Sequence, residues 1–148
     1  MFKLREKNER VVFYFFFIFL FFFERYLKIF YLNRGKVFYN KNIAFNIYLE
    51  KGVFYFLFSL IFAILIYCLI ISFKKKRISL IFSFSFILVG ALSNLIDRFF
   101  YNAIIDYWQI LSLREIPQSG TIAIFNLADL YIFLGILMLL VSIWRKDL

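Results

Sequence analysis

The sequence predicts an all-α membrane protein of four transmembrane helices with a small extracytoplasmic, β-containing loop region. Three observations carry that expectation. Hydrophobic residue types make up 64% of the 148-residue chain and its mean hydropathy is +0.84, more apolar surface than a water-soluble domain of this size can hide. Long uncharged runs recur at lengths suited to a bilayer. The basic residues, 18 Lys and Arg against 9 Asp and Glu for a net charge of +9, cluster between those runs. That clustering points to membrane topology rather than to nucleic-acid binding.

One domain, 1–148, accommodates the whole chain. It opens on the charged MFKLREKNER, followed by VVFYFFFIFLFFF (Val11–Phe23). This has the layout of the n- and h-regions of a secretory signal, but the run passes into ERYLKIFYL without a small-residue cleavage site. An uncleaved first span over about 11–32 is therefore expected, with polar residues in its second half. NRGKVFYNKNIAFNIYLEK (Asn33–Lys51) reads as an extracytoplasmic loop with room for short strands. The second span covers 53–73, roughly 30 Å of helix and one hydrocarbon thickness. KKKR (Lys74–Arg77) makes a tight basic turn, and the third span covers 78–97. Arg98–Gly120 reads as a second polar loop, with Pro117 and Gly120 near its end, and the fourth span covers about 121–144.

Orientation follows from the basic residues. Lys3, Arg5, Lys7 and Arg10, the KKKR turn, and Arg145 and Lys146 all belong in the cytoplasm by the positive-inside rule. Both termini are then cytoplasmic and both long loops lie outside. Arg34, Lys36, Lys41 and Lys51 in the first loop run against the bias without reversing it. Trp108 and Trp144 are expected at the membrane interfaces.

There is no histidine and one cysteine, Cys68, within an apolar run where it reads as a buried small hydrophobe. An intrachain disulfide, a zinc site of the His/Cys kind, and Ser-His-Asp or Cys-His catalysis are all excluded. No cofactor or metal is expected. The partners expected are membrane lipids, without nucleic acid.

Asp97, Asp106 and Asp129 all fall at the outer face on this topology. Charge at membrane depth is costly, so such residues usually meet a partner or a wet cavity. In GALSNLIDR, Gly90, Asn94, Asp97 and Arg98 share one helical face; Gly90 allows a close neighbouring helix and Asn94 can hydrogen-bond across the contact. Asp97 and Arg98 read as a structural ion pair, and Glu24 and Lys28 as an i, i+4 pair that neutralises itself. Asn126 and Asp129 fit a helix N-cap and its N3 acid. They fit a second reading equally well. Asp106 and Asp129 lack an obvious partner, and two nearby carboxylates cannot both ionise easily. One keeps a proton and polarises a peptide carbonyl while the other takes a proton from water.

The alternative from another class is a small membrane carrier or channel subunit using Asp97, Asp106 and Asp129 as a cation or proton relay. Against it, the acids cluster at one face and neither a midplane site nor repeat symmetry is visible. A Ser-Lys peptidase is disfavoured because Lys28, the one lysine embedded in a span, is paired by Glu24.

The same residues resemble the lipoprotein signal peptidases (signal peptidase II) of bacteria. GALSNLIDR is similar to that family's third-span motif, AIIDYW (Ala103–Trp108) to its next, and FNLAD (Phe125–Asp129) to its fourth-span motif. NKNIAF (Asn40–Phe45) resembles an Asn-x-Gly-x-Ala-Phe loop, with Asn42 where glycine is usual. ERYLK sits where the family has Asp-Gln-x-x-Lys, Glu24 replacing the aspartate and Arg25 the glutamine, and Ser93 stands where glycine is common. The resemblance implies an aspartyl endopeptidase of the bacterial cytoplasmic (inner) membrane, acting as a monomer. Its substrate would be a prolipoprotein signal peptide carrying diacylglyceryl-cysteine, cut just before that cysteine at the outer face of the membrane. It implies catalytic roles for Asp106 and Asp129, substrate-binding or site-shaping roles for Asn40, Asn94, Arg98 and Asn126, and structural roles for Glu24, Lys28 and Asp97.

Overall fold

The structure, a computed structural model, describes residues 2–41, 50–110 and 123–145. Four helices carry most of it: α1 (Phe2–Asn33), α2 (Lys51–Lys74), α3 (Ile78–Tyr101) and α4 (Leu127–Trp144). Between them run four short strands, β1 (Phe38–Asn40), β2 (Ile104–Asp106), β3 (Trp108–Ile110) and β4 (Ala123–Phe125). Asn42–Phe45 of the motif that begins at Asn40, Pro117, Gly120 and the expected start of the fourth span lie outside the described residues.

Among the described residues, α2, α3 and α4 are long and apolar enough to cross a membrane. The 32 residues of α1 extend to about 48 Å, but its second half carries Glu24, Arg25 and Lys28. Serines within the helices close on themselves: Ser72 donates to the Cys68 carbonyl at 2.7 Å, Ser83 to Ser79 at 2.8 Å and Ser142 to Met138 at 2.9 Å. Such back-bonding satisfies a hydroxyl where no water is at hand.

α3 is the central helix, touching α1, α2 and α4. Its buried residues include Leu80, Ser83, Ile87, Gly90, Asn94 and Asp97, a three- and four-residue spacing that defines one face. Against this face α4 packs closely. A Cβ on Gly90 would overlap the Ala128 carbonyl oxygen, and one on Gly135 would stand 2.6 Å from Ile87 Cγ1 and 2.7 Å from the Ser83 carbonyl. One glycine from each helix thus sets the approach.

The strands form two antiparallel ribbons. β1 pairs β2 with Phe38 opposite Asp106 and Asn40 opposite Ile104, and β3 pairs β4 with Trp108 opposite Phe125. Tyr107 N donates to the Phe125 carbonyl at 3.2 Å, joining the two ribbons.

Several expectations need correcting. The fourth helix begins at Leu127, not near 121, because Ala123–Phe125 pair as a strand and Asn126 caps the helix. The third helix continues past Asp97 to Tyr101 and closes on Asn102 in the left-handed conformation, φ 53°. Cys68 is half-exposed rather than buried, because α2 has Ser72 as its one buried residue and leaves most of its surface open.

Candidate active site

Strand pairing and one helix cap bring the polar residues together. Along β1 and β2, side chains two residues apart share a face. Asn40, opposite Ile104, therefore lies on the side of Asp106, and its Nδ2 donates to Asp106 Oδ2 at 3.3 Å. β4 ends at Phe125, so the next residue, Asn126, is delivered beside the end of β2. Asn126 is extended (φ −130°, ψ 176°) and caps α4. Its Oδ1 accepts from Asp129 N at 3.0 Å, while Asp129 Oδ2 accepts from Asn126 N at 3.1 Å. This is a reciprocal capping box.

The cap determines which way the Asn126 amide faces. With Oδ1 on the α4 backbone, Nδ2 points at Asp106 Oδ1 (2.7 Å), the Ile105 carbonyl (3.2 Å) and Asn94 Oδ1 (3.2 Å). Asn94 is oriented just as firmly. Lys28 can only donate, and its Nζ lies 2.8 Å from Asn94 Oδ1. Asn94 Nδ2 is thereby aimed at Asp129 Oδ1, 2.8 Å away. Among the described residues, each carboxylate oxygen of Asp106 and Asp129 thus accepts one hydrogen bond.

Behind this network lies a cluster of buried charge. Lys28 Nζ is 2.6 Å from Asp97 Oδ2 and 3.1 Å from Glu24 Oε1, and Arg25 Nη1 is 2.5 Å from Asp97 Oδ1. Ser93 Oγ donates to Glu24 Oε2. The side chains of Glu24, Lys28 and Asp97 are fully buried. Two acids and two bases leave no net charge, the condition under which ions are tolerated away from water. The Lys28–Glu24 contact is one of charge rather than a directed hydrogen bond, since Glu24 Oε1 has no hydrogen-bond partner among the described residues.

Asp106 is 2% exposed. Burial foremost, and then the charge of Asp129, push its carboxyl up to about 6, against the hydrogen bonds from Asn40 and Asn126 and the charge of Lys28, which lower it. The neighbouring Tyr107 is buried, its ring stacked on Tyr31 with centroids 4.7 Å apart, and its hydroxyl accepts from Leu127 N at 3.1 Å. Burial raises that phenol well above its ordinary range, so it stays neutral and serves as a second cap on α4.

Asp106, Asp129, Asn40, Asn94 and Asn126 are therefore brought together. Arg98 stands at the flank, its guanidinium 5.0 Å from the Phe54 ring centre and Nη1 3.5 Å from the Lys41 carbonyl. Asp97 is not paired with Arg98, as the sequence suggested. Neighbours on a helix point about 100° apart, and Asp97 faces α1 instead. Arg25, Ser93 and the Tyr107 hydroxyl had no sequence assignment in this network. No local signal marked Arg25, because the sequence already offered Asp97 a cation in Arg98. Trp108 is half-buried in β3 and Trp144, at the end of α4, is 87% exposed.

The signal peptidase (SPase) II family profile matches residues 15–145. The chain is similar to the lipoprotein signal peptidase of Buchnera aphidicola subsp. Schizaphis graminum, 37% identical over 122 residues, spanning 80% of this chain and 74% of that protein. It is also similar to the lipoprotein signal peptidase of Clostridium novyi, 30% identical over 107 residues, 72% of this chain and 70% of that protein. In fold it is similar to a bacterial membrane enzyme solved by the in meso method at 2.3 Å resolution. There the TM-score is 0.66 at 21% identity, covering 88% of this chain and 85% of that one.

Proposed function

This chain belongs to the signal peptidase II family, and we propose that Asp106 and Asp129 are the aspartyl pair with which it cleaves its substrate. The activity itself, proteolytic removal of lipoprotein signal peptides, comes with the family. The substrate in this reading is a prolipoprotein whose cysteine carries a diacylglyceryl group, cut just before that cysteine. One observation supports the pair above others: Asn126 donates to both carboxylates, from its side-chain Nδ2 to Asp106 and from its backbone N to Asp129.

The steps follow from the two environments. Asp129 accepts from Asn94 Nδ2 and Asn126 N, which suits an ionised carboxylate acting as general base. Asp106, raised to about 6, carries the shared proton more readily and hydrogen-bonds the scissile carbonyl. Water gives a proton to Asp129 as its oxygen bonds to the carbonyl carbon, and Asp106 protonates the developing oxyanion. Collapse returns that proton to Asp106 and breaks the C–N bond, while Asp129 passes its proton to the departing amine. Arg98, Asn40 and Asn94 border the site as contacts for the peptide backbone.

The same reading makes α1 a fourth span. The charges in its second half are neutralised within the molecule, which removes most of their cost at membrane depth. Both termini and the KKKR turn then lie on the cytoplasmic side of the bacterial inner membrane, with the ribbons and the aspartates outside. All polar residues of the site come from one chain, so a monomer suffices. A carrier is not favoured, because Asp97, which a relay would need, is committed to Arg25 and Lys28.

The test is processing of a prolipoprotein in cells depleted of their own signal peptidase II. Wild type restores the mature form, while Asp106→Asn and Asp129→Asn, inserted at normal levels, lower the rate by about 10²–10⁴-fold. A fully active single variant removes that residue from the pair.

A further inference from the structure

A crevice of about 460 Å³ opens between α1 and α2 over α3, away from the aspartates. Phe13, Phe17 and Phe21 of α1, Phe62 and Leu69 of α2, and Leu88 of α3 are among its walls. We infer that it is a binding site for one acyl chain of an anionic phospholipid, whose headgroup is held by the Lys74–Arg77 turn.

Three features single out that occupant. The first is length: the α2 wall runs from Phe62 to Phe73, about 16 Å of helix and close to half of the ~30 Å hydrocarbon core. A chain from one leaflet spans it. The second is width. A helix of 10–12 Å diameter takes roughly 400–600 Å³ per 5.4 Å turn, so two turns of helix exceed the space, whereas an extended hydrocarbon chain is thin enough to enter.

The third is charge. The wall ends at Phe73, and Lys74, Lys75, Lys76 and Arg77 follow directly, the three lysines exposed. Basic residues at a membrane surface attract anionic headgroups. They repel a signal peptide, whose own n-region is basic, so the substrate's apolar helix is the poorer occupant on charge as well as on size. The inference rests on the four-span reading above for which leaflet supplies the lipid.

The protein is reconstituted into nanodiscs holding equal amounts of phosphatidylglycerol and phosphatidylethanolamine, released in mild detergent, and weighed with its retained lipids by native mass spectrometry. Cleavage of a lipidated prolipoprotein peptide is followed on the same preparation. Wild type is expected to retain one phosphatidylglycerol, roughly fivefold or more over phosphatidylethanolamine. Lys74→Gln/Lys75→Gln reduces that preference towards equality, and Leu69→Trp, which fills the crevice, releases both lipids; cleavage persists in each. Should Leu69→Trp fail to fold, the lysine variant decides alone. Equal retention of the two lipids by wild type, or undiminished preference in the lysine variant, overturns the inference. So does displacement of the lipid by an added signal-sequence peptide, which would give the crevice to the substrate. Lipid selection intact with no cleavage by wild type would uphold this site and count against the peptidase assignment instead.

Discussion

An asparagine at a helix N-cap commits its side-chain oxygen to the N3 amide, leaving its NH2 group to bond elsewhere, and in Asn126 that group faces Asp106. Capping and site geometry can therefore be separated by substitution. Asn126→Ser keeps the cap and loses the donor to Asp106, so its kcat falls by about 10- to 100-fold, the equivalent of one hydrogen bond to a charged group. Asn126→Ala loses both, with a similar kcat and about 1 kcal/mol less stability; kinetics and thermal unfolding on the two variants check this. Equal stability of the two would show that the cap contributes nothing. A pH profile probes the pair from another side. With Asp106 raised from 3.8 to about 6, kcat/KM should fall as pH rises through that region, the apparent value belonging to the coupled pair. The Asn40 hydrogen bond lowers the Asp106 value, so Asn40→Ala should move the alkaline limb to higher pH; a limb that stays or moves down contradicts the assignment. Stability follows the same sign. The raised carboxyl contributes fully below about pH 4 and its contribution is lost as pH rises through 6.

The approach of α3 to α4 determines whether Asn94 reaches Asp129, and Gly90 determines the approach. Gly90→Ala forces a methyl against the Ala128 carbonyl, for which about 1–3 kcal/mol of destabilisation is expected, together with lower kcat as the Asn94–Asp129 bond lengthens. Thermal unfolding in detergent and a cleavage assay report the two effects. The α1–α3 contact depends on charge in the same way. Lys28→Met leaves Glu24 and Asp97 without their shared cation and should cost about 3–5 kcal/mol. Arg25→Gln, which leaves Lys28 on Asp97, should cost clearly less; the reverse order would mean that Arg25 is the principal partner. Much of this was legible in advance. Hydropathy located three helices long and apolar enough to span a membrane, and the spacing of Gly90, Asn94 and Asp97 located the packed face of α3. The start of α4 was not legible, because the apolar Ala123–Phe125 read as helix until strand pairing with β3 claimed it. Nor was the Asp97–Arg25 pair, since a contact between residues 72 apart leaves no trace in local spacing.

For the molecule as a whole, the proposed four crossings would put the loop after α1 and the turn after α2 on opposite sides of the membrane. In a Cys68→Ser background, Lys36→Cys should react with a membrane-impermeant thiol reagent added outside, and Lys75→Cys only after permeabilisation. Labelling of both from the same side would mean that α2 does not cross. The central claim is a pair of aspartates held by three asparagines, Asn40, Asn94 and Asn126, at the end of a neutralised bundle. Its most direct test is a single-turnover assay of detergent-solubilised protein on a purified diacylglyceryl-modified prolipoprotein peptide, beside Asp129→Asn, with the products weighed by mass spectrometry. The prediction is cleavage just before the lipidated cysteine by the wild type, and loss of that product in a variant that is still folded, whose asparagine oxygen can still accept from Asn126 N. Undiminished cleavage by Asp129→Asn would contradict the pair, and no cleavage by well-folded wild type would contradict the activity itself.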